Sequence, residues 1–374
     1  MINRKLENVV KSRLGTGKAV IVIGPRQVGK TTLLKRISGN FSDKALFINC
    51  DEPDMRSLLF EKTSSELKAL IGNHKLVIID EAQRVKNIGL SLKLIIDQLK
   101  SVQLIVSGSS ALELANEINE PLTGRKWEFI MYPVSMEELI DHTSFIEQNR
   151  LLATRLVYGM YPDVINNPGS EKEILKNLTD SYLYKDLFSF KDVRKPEVIE
   201  KILQALSLQV GSEVSYNEIA DLVRSDPQTV TKYIDLLEKT MVVYRLPSFS
   251  RNLRNELKKS RKIYFYDNGV RNAIIANFQP LELRKDAGAL WENFILTERL
   301  KYTTYASIWS NRFFWRTKQQ QEIDYIEERD GKLYTFEFKW GAVKKERAPL
   351  TFTKAYPESE HQVISPQNYQ HFIS

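Results

Sequence analysis

Up to about Trp127 the chain alternates short, apolar, strand-like runs with stretches in which apolar residues recur at helical spacing. The apolar runs cover residues 19–23, 45–48, 76–79 and 103–106. Each has the length of a strand, and a strand apolar on both faces must be covered on both, as in a parallel sheet flanked by helices. Residues 1–127 are therefore predicted to form a parallel α/β core. From Glu128 to about Lys195 the strand-like runs thin out and helical spacing dominates. A helix is predicted over 136–141, where Ser135 and Glu138 make a capping box, and residues 128–195 read as a small helical lid. Residues 196–262 read as a helical, winged-helix segment, and over 263–374 aromatic strands return in a mixed α+β domain. No internal repeat, low-complexity tract or long Gly/Ser linker marks the joints.

The first apolar run leads into Gly24-Pro25-Arg26-Gln27-Val28-Gly29-Lys30-Thr31, and a helical run follows directly. This fits G-x-x-x-x-G-K-[ST] in the strand-to-helix setting that the motif requires. Its glycines let backbone N–H groups close around a phosphate at a helix N-terminus, where the dipole favours an anion. Lys30 is expected to reach the β and γ phosphates of a nucleoside triphosphate and Thr31 to ligate magnesium, with Thr32 completing the binding set. The run Leu76-Val77-Ile78-Ile79 ends in Asp80 and Glu81, an awkward place for two adjacent carboxylates unless they serve a cation and a reaction. Asp80 is assigned to hold magnesium through water, and Glu81 to polarise the attacking water for in-line phosphoryl transfer.

The next strand ends in Ser107-Gly108-Ser109-Ser110. Ser109 is the candidate sensor of the γ phosphate, while Ser110 with Glu113 reads equally well as the capping box of the helix that follows. Arg125 is a candidate arginine finger or sensor, against the plainer reading of a surface arginine; acting in trans it would require a homo-oligomer. Taken in order, GPRQVGKTTL, LVIIDEAQ, LIVSGSS, LTGRKWEF and YGMYPDVI resemble a group of prokaryotic AAA-type ATPases of the AAA+ superfamily. Chains of that group end in a winged-helix segment and a restriction-endonuclease-like domain. The resemblance covers nearly the whole chain and implies ATP as the nucleotide and ATP hydrolysis as the activity, while leaving the physiological substrate undefined.

Within 196–262, Ser215 and Glu218 cap a short helix, and Asp226-Pro227 restarts a second one. Val230, Ile234 and Leu237 form its buried stripe, leaving Gln228, Thr229, Thr231 and Lys232 outward, as in a helix-turn-helix reader. Arg251, Arg254, Lys258, Lys259, Arg261 and Lys262 then set six cations against Glu256 within twelve residues, a basic wing suited to backbone phosphates. Residues 215–262 are thus candidates for contact with double-stranded DNA; a protein-packing module with a solvated charge run is the competing reading.

Further on, Asp330-Gly331 signals a two-residue hairpin turn. The implied register sets Asp324 opposite Glu337 and Lys339 opposite Glu322, with Ile323–Phe338 and Tyr325–Phe336 on the other face. Opposed carboxylates repel unless a cation lies between them, and magnesium is the expected one. Glu292, Asp324, Glu337 and Lys339 occupy the four positions of the restriction-endonuclease-like core, as a resemblance; the alternative is a hairpin with a solvated polar face and no cleavage activity.

Net charge +7 permits a polyanionic partner without demanding one. The single cysteine, Cys50, excludes an intramolecular disulfide and a cysteine zinc cluster, and four scattered histidines give no metal spacing. With no apolar segment at the N-terminus and no run of spanning length, the expectation is a cytoplasmic protein without membrane contact. The composite expectation is an ATPase that closes its lid over the nucleotide and couples hydrolysis to DNA binding or processing. The alternative is a nucleotide-gated DNA-binding or protein-interaction switch whose nuclease-like domain is inactive.

Overall fold

The structure, a computed structural model, describes residues 1–41, 44–108, 121–183, 187, 193, 195–250, 261–341 and 347–374. The chain divides into two compact units, residues 1–133 with 239–241, and residues 134–238 with 242–374.

The first unit is built on a five-stranded sheet, β1 (Ala19–Ile23), β2 (Ala45–Asn49), β3 (Leu76–Asp80), β4 (Gln103–Gly108) and β5 (Lys126–Ile130), in the order β2-β3-β4-β1-β5. Every neighbouring pair is parallel. β1 and β3 are buried at all five positions, which is why both read as unbroken apolar runs. β5 lies at the sheet edge, so residues 128–130, placed by the sequence in the lid, belong to the sheet. The core runs from Ile21, Ile23, Val77, Ile79 and Val106 to Leu67, Ile88 and Leu92 on covering helices.

The second unit opens with the helix Met136–His142, whose Ser135 and Glu138 form both halves of the predicted capping box. Further along come the helix Pro196–Leu208, β6 (Glu213–Val214), the helices Tyr216–Val223 and Pro227–Lys239, β7 (Val243–Pro247) and β8 (Arg261–Phe265). The three strands pair antiparallel in the order β6-β8-β7. A second sheet holds β9 (Asn311–Arg316), β10 (Glu322–Arg329), β11 (Lys332–Phe338) and β12 (Glu360–Ile364) in the order β12-β11-β10-β9. Its β10–β11 hairpin pairs Tyr325 with Phe336 and Arg329 with Lys332, the register set by Asp330-Gly331. Phe249 joins Phe313, Ile323, Ile326, Leu333 and Phe352 in the local core.

The helix Ala287–Tyr305 is buried on nearly every side and carries charge inward. Arg299 donates both arms of its guanidinium to Glu327, at 2.7 and 2.8 Å, and the Tyr325 hydroxyl donates to the same carboxylate at 3.0 Å. Burial alone would raise the Glu327 carboxyl, but the Arg299 fork outweighs it and holds the group below its ordinary value. Glu298 accepts from Lys301 at 2.6 Å and from the Met136 N–H at 2.6 Å, and Lys301 also donates to Val134 O at 3.0 Å. Removing one member of a buried pair leaves a charge in low dielectric. Arg299→Ala is accordingly expected to cost about 3–5 kcal/mol, read as a lower denaturant midpoint for the second unit; an unchanged midpoint would refute the assignment.

The motif YGMYPDVI has a packing role in this unit. The Met160 N–H donates to Asp267 Oδ2 at 2.6 Å and the Val134 N–H to Met160 O at 3.0 Å. Gly159 has φ 74°, and a Cβ there would lie 2.1 Å from Asp267 Oδ1, so only glycine fits. Burial pushes the Asp267 carboxyl up to about 6, against the pull of the N–H groups of Met160 and Val270. Among the described residues, no helix is long and apolar enough to cross a membrane.

Candidate functional site

The loop Gly24–Thr31 leaves the carboxyl end of β1 and enters the helix Lys30–Gly39, whose N-cap Gly29 is left-handed at φ 95°. That helix start has no side-chain cap and no acid in its first turn, so its positive end is not cancelled locally. Gly24 runs against the backbone of the residue after β5: a Cβ would sit 2.2 Å from Met131 O. The other side of the loop is pinned by Arg4, which donates to Val28 O and Tyr132 O, both at 2.6 Å. Lys30 is buried, and its ammonium donates to the carbonyls of Gly24 and Pro25 at 2.9 and 2.8 Å, which folds the side chain back over the loop. Of the other loop residues, Val28 is buried, Arg26 and Thr31 are half-buried, and Gln27, at φ 61°, and Thr32 are exposed. Gly24→Ala is expected to displace the loop and destabilise the first unit by about 2–4 kcal/mol, checked by its thermal midpoint; a midpoint equal to the parent's would contradict the close approach.

The acids at the end of β3 are brought to this loop. Thr31 Oγ1 donates to Asp80 Oδ2 at 2.6 Å, and Ser107 Oγ donates to Asp80 Oδ1. Ser107 Oγ also accepts from the Glu81 N–H at 3.2 Å. The Glu81 carboxylate accepts from Gln83 Nε2 at 2.7 Å, and its backbone is left-handed at φ 54°, a strained conformation for a residue with a Cβ. Asp80 is nearly closed to solvent while Glu81 is half-buried. Behind them the Cys50 N–H donates to Asp80 O at 2.9 Å, and burial, helped by the Asp80 charge, pushes the Cys50 thiol up to about 12. Two side chains here escaped the sequence reading. Ser107, the penultimate residue of β4, is a polar position on an otherwise apolar buried strand end, a signal within reach. Arg4 carried none, since nothing in its neighbourhood points to a loop more than twenty residues away.

Ser109, Ser110 and Glu113 lie outside the described residues. Arg125 is not brought to the loop. Its carbonyl accepts from the Ala19 N–H at the start of β1, a strand length, roughly 16 Å, from Gly24. The side chain pairs with Asp97 at 2.9 Å, so a contribution to this loop would have to reach a second copy.

In the second unit the helices Tyr216–Val223 and Pro227–Lys239 start as expected, with Ser215 accepting from the Glu218 N–H and Asp226 from the Thr229 N–H at 2.8 Å. Val230, Ile234 and Leu237 are fully buried, and Gln228 and Lys232 are exposed. The Thr229 and Thr231 hydroxyls are spent locally, on Asp226 and on Pro227 O. Arg251, Arg254, Glu256, Lys258 and Lys259 lie outside the described residues. Lys262, counted with the basic wing, is corrected: it is buried in β8 and pairs with Glu322 at 2.7 Å and Glu292 at 3.1 Å. Burial would lower its pKa, but the charges of Glu292, Asp324 and Glu322 outweigh that and hold it above the ordinary lysine value. Glu292, in turn, is pushed up to about 7 by burial, against the pull of Lys262, and accepts from the Tyr264 hydroxyl at 2.5 Å.

The pairing of Lys339 with Glu322 is also corrected. Lys339, the residue after β11, lies 3.6 Å from Glu337 at the end of that strand, and Glu322 takes Lys262 and, at 3.8 Å, Arg316. Asp324 sits where β10 shifts register against β9, and its carboxylate accepts the Phe338 N–H at 2.9 Å, standing in for a ladder partner. Among the described residues, no group of three His, Cys, Asp or Glu is gathered as for a metal ion.

Residues 16–140 match the family model described as "AAA domain". Residues 16–140 are thus similar to that family, and the parallel sheet with its loop between β1 and the following helix has the architecture of a P-loop α/β domain. Residues 149–281 and 287–372 match two models described as domains of unknown function, DUF8612 and DUF4143. An uncharacterized protein of Mycobacterium tuberculosis is 26% identical over 337 residues, covering 88% of this chain and 72% of its own length. Another, of Methanocaldococcus jannaschii, is 23% identical over 377 residues, covering 95% and 81%. Among solved structures, the Pif1 helicase from Candida albicans aligns at 15% identity and a TM-score of 0.27, over 48% of each chain, a likeness that carries no argument about this one.

Proposed function

We propose that this chain is a magnesium-dependent ATPase whose nucleotide site is Gly24–Thr31 with Asp80 and Glu81. The observation that carries the reading is the network at the carboxyl ends of β3 and β4, in which Thr31, Asp80, Ser107, Glu81 and Gln83 are joined beside the phosphate-binding loop. Backbone N–H groups at the helix start and the Lys30 ammonium take up phosphate charge. Thr31 and Asp80 present adjacent hard oxygens, the donor chemistry magnesium prefers; when bound, the ion neutralises charge on the phosphate oxygens. Glu81 orients the attacking water and accepts its proton, with its main chain fixed by Ser107 and its carboxylate held by Gln83. ATP rather than another nucleotide follows from the AAA likeness. The test is phosphate release from ATP by the full chain in magnesium and in EDTA, and no release in magnesium would end the reading.

The nucleotide state is proposed to govern binding of double-stranded DNA by the second unit. The helix, strand, two helices and two strands of residues 196–265, with the sheet order β6-β8-β7, support a winged-helix reading of that segment, and exposed Gln228 and Lys232 lie on its third helix. Binding to a fluorescent duplex is expected to weaken steeply between 50 and 200 mM salt, roughly tenfold for each two phosphates contacted; binding that ignores salt favours a protein partner instead. The burial of Lys262 among the C-terminal carboxylates favours the switch reading, in which the last domain does not cleave nucleic acid.

A further inference from the structure

Glu292, one of the carboxylates that the sequence groups as a metal centre, meets a cation supplied by the chain itself. Lys262 reaches from β8 with a side chain only 3% exposed, and its ammonium stands 3.1 Å from Glu292 on the helix Ala287–Tyr305 and 2.7 Å from Glu322 at the start of β10. It also lies 5.5 Å from the centre of the Phe314 ring on β9. We propose that Lys262 is the resident cation of the Glu292, Glu322 and Asp324 cluster, and that the cluster is a charge tie joining β8, the long helix and β10 rather than a divalent-metal site.

The carboxylates are already committed in a way that a metal would have to undo. Glu292 Oε1 accepts from both Lys262 and the Tyr264 hydroxyl, and Asp324 Oδ2 accepts the Phe338 N–H, so one oxygen of each carboxylate is already turned to a fixed donor. Arg316 stands behind, 3.8 Å from Glu322 and 3.5 Å from Glu213 on β6, adding a second positive charge on the far side. A divalent ion entering here would meet a buried ammonium at short range, where like charges are poorly screened. Glu337 on β11 is engaged with Lys339, which leaves the four expected ligand and catalytic positions split between two arrangements. A buried charge group of this kind is satisfied by geometry, and breaking one partner exposes the others to an uncompensated burial.

Two measurements decide this, both on the full chain without nucleotide. The first counts bound manganese by electron paramagnetic resonance in the parent and in a Glu292→Gln/Asp324→Asn variant. Equal counts are expected; one more ion on the parent would overturn the proposal. The second compares melting in EDTA. Lys262→Met is expected to melt roughly 10 °C lower than the parent and to regain part of that loss in millimolar manganese, because the stripped carboxylates then accept a divalent ion, whereas Lys262→Arg stays within a few degrees. An unchanged melting point in Lys262→Met would show that the lysine ties nothing. If Lys262→Met does not accumulate, Lys262→Arg carries the test: melting within a few degrees of the parent supports the tie, a melting point roughly 10 °C lower overturns it, and the manganese count stands by itself.

Discussion

Lys30→Ala is expected to lower ATP turnover by roughly 10²–10³-fold while leaving the sheet intact. The ammonium donates to the carbonyls of Gly24 and Pro25, within the loop itself. What the substitution removes is the one flexible charge able to swing from those carbonyls to a phosphate, and with it the stabilisation of charge that grows as the terminal phosphoryl group departs. Phosphate release and the far-ultraviolet circular dichroism spectrum, measured on the same preparation, separate the two effects. Turnover at the parental rate would remove Gly24–Thr31 as the catalytic loop.

Glu81→Gln is expected to slow hydrolysis by about 10²–10⁴-fold and to leave ATP binding nearly unchanged. Glutamine keeps the size and the contact with Gln83 but cannot accept a proton from water. The strained backbone of Glu81 supports a role for the side chain beyond packing, since a left-handed non-glycine residue costs of the order of 1–3 kcal/mol and is kept where its direction matters. Equilibrium binding of a fluorescent ATP analogue beside single-turnover hydrolysis separates binding from chemistry. Equal single-turnover rates in parent and variant would move the role of base elsewhere.

Much of the first unit was legible because burial on both faces leaves an unbroken apolar signature: β1 falls on the predicted residues, and β2, β3 and β4 extend theirs by one or two. β5 was not, because KWEFI lies at the sheet edge, mixes charge with apolar residues, and has no position fully buried. The hairpin register was readable from Asp330-Gly331, since a two-residue turn fixes every later pair. The fate of Lys262 was not. A lysine in a basic run reads as solvated, and only the fold shows that the strand alternation turns it inward toward acids thirty and sixty residues away in sequence. For Arg125 the sequence left a surface arginine beside the finger, and its pairing with Asp97, on another element, is not readable from its neighbours.

The contacts of residues 134–160 bear on how this protein can be taken apart. Lys301 serves Val134, Glu298 serves Met136, and Asp267 serves Met160, so the helices that follow the sheet in sequence find their buried partners more than a hundred residues downstream. A gene fragment ending at residue 140, where the AAA family match stops, would cut through the helix Met136–His142 and strip it of those partners. One ending at 195 would keep the helices and still lack Asp267, Glu298 and Lys301. A cut just after Pro133 retains all five parallel strands and leaves Val134, Met136 and Met160 with those partners, while residues 239–241, which cluster with the first unit, are left behind.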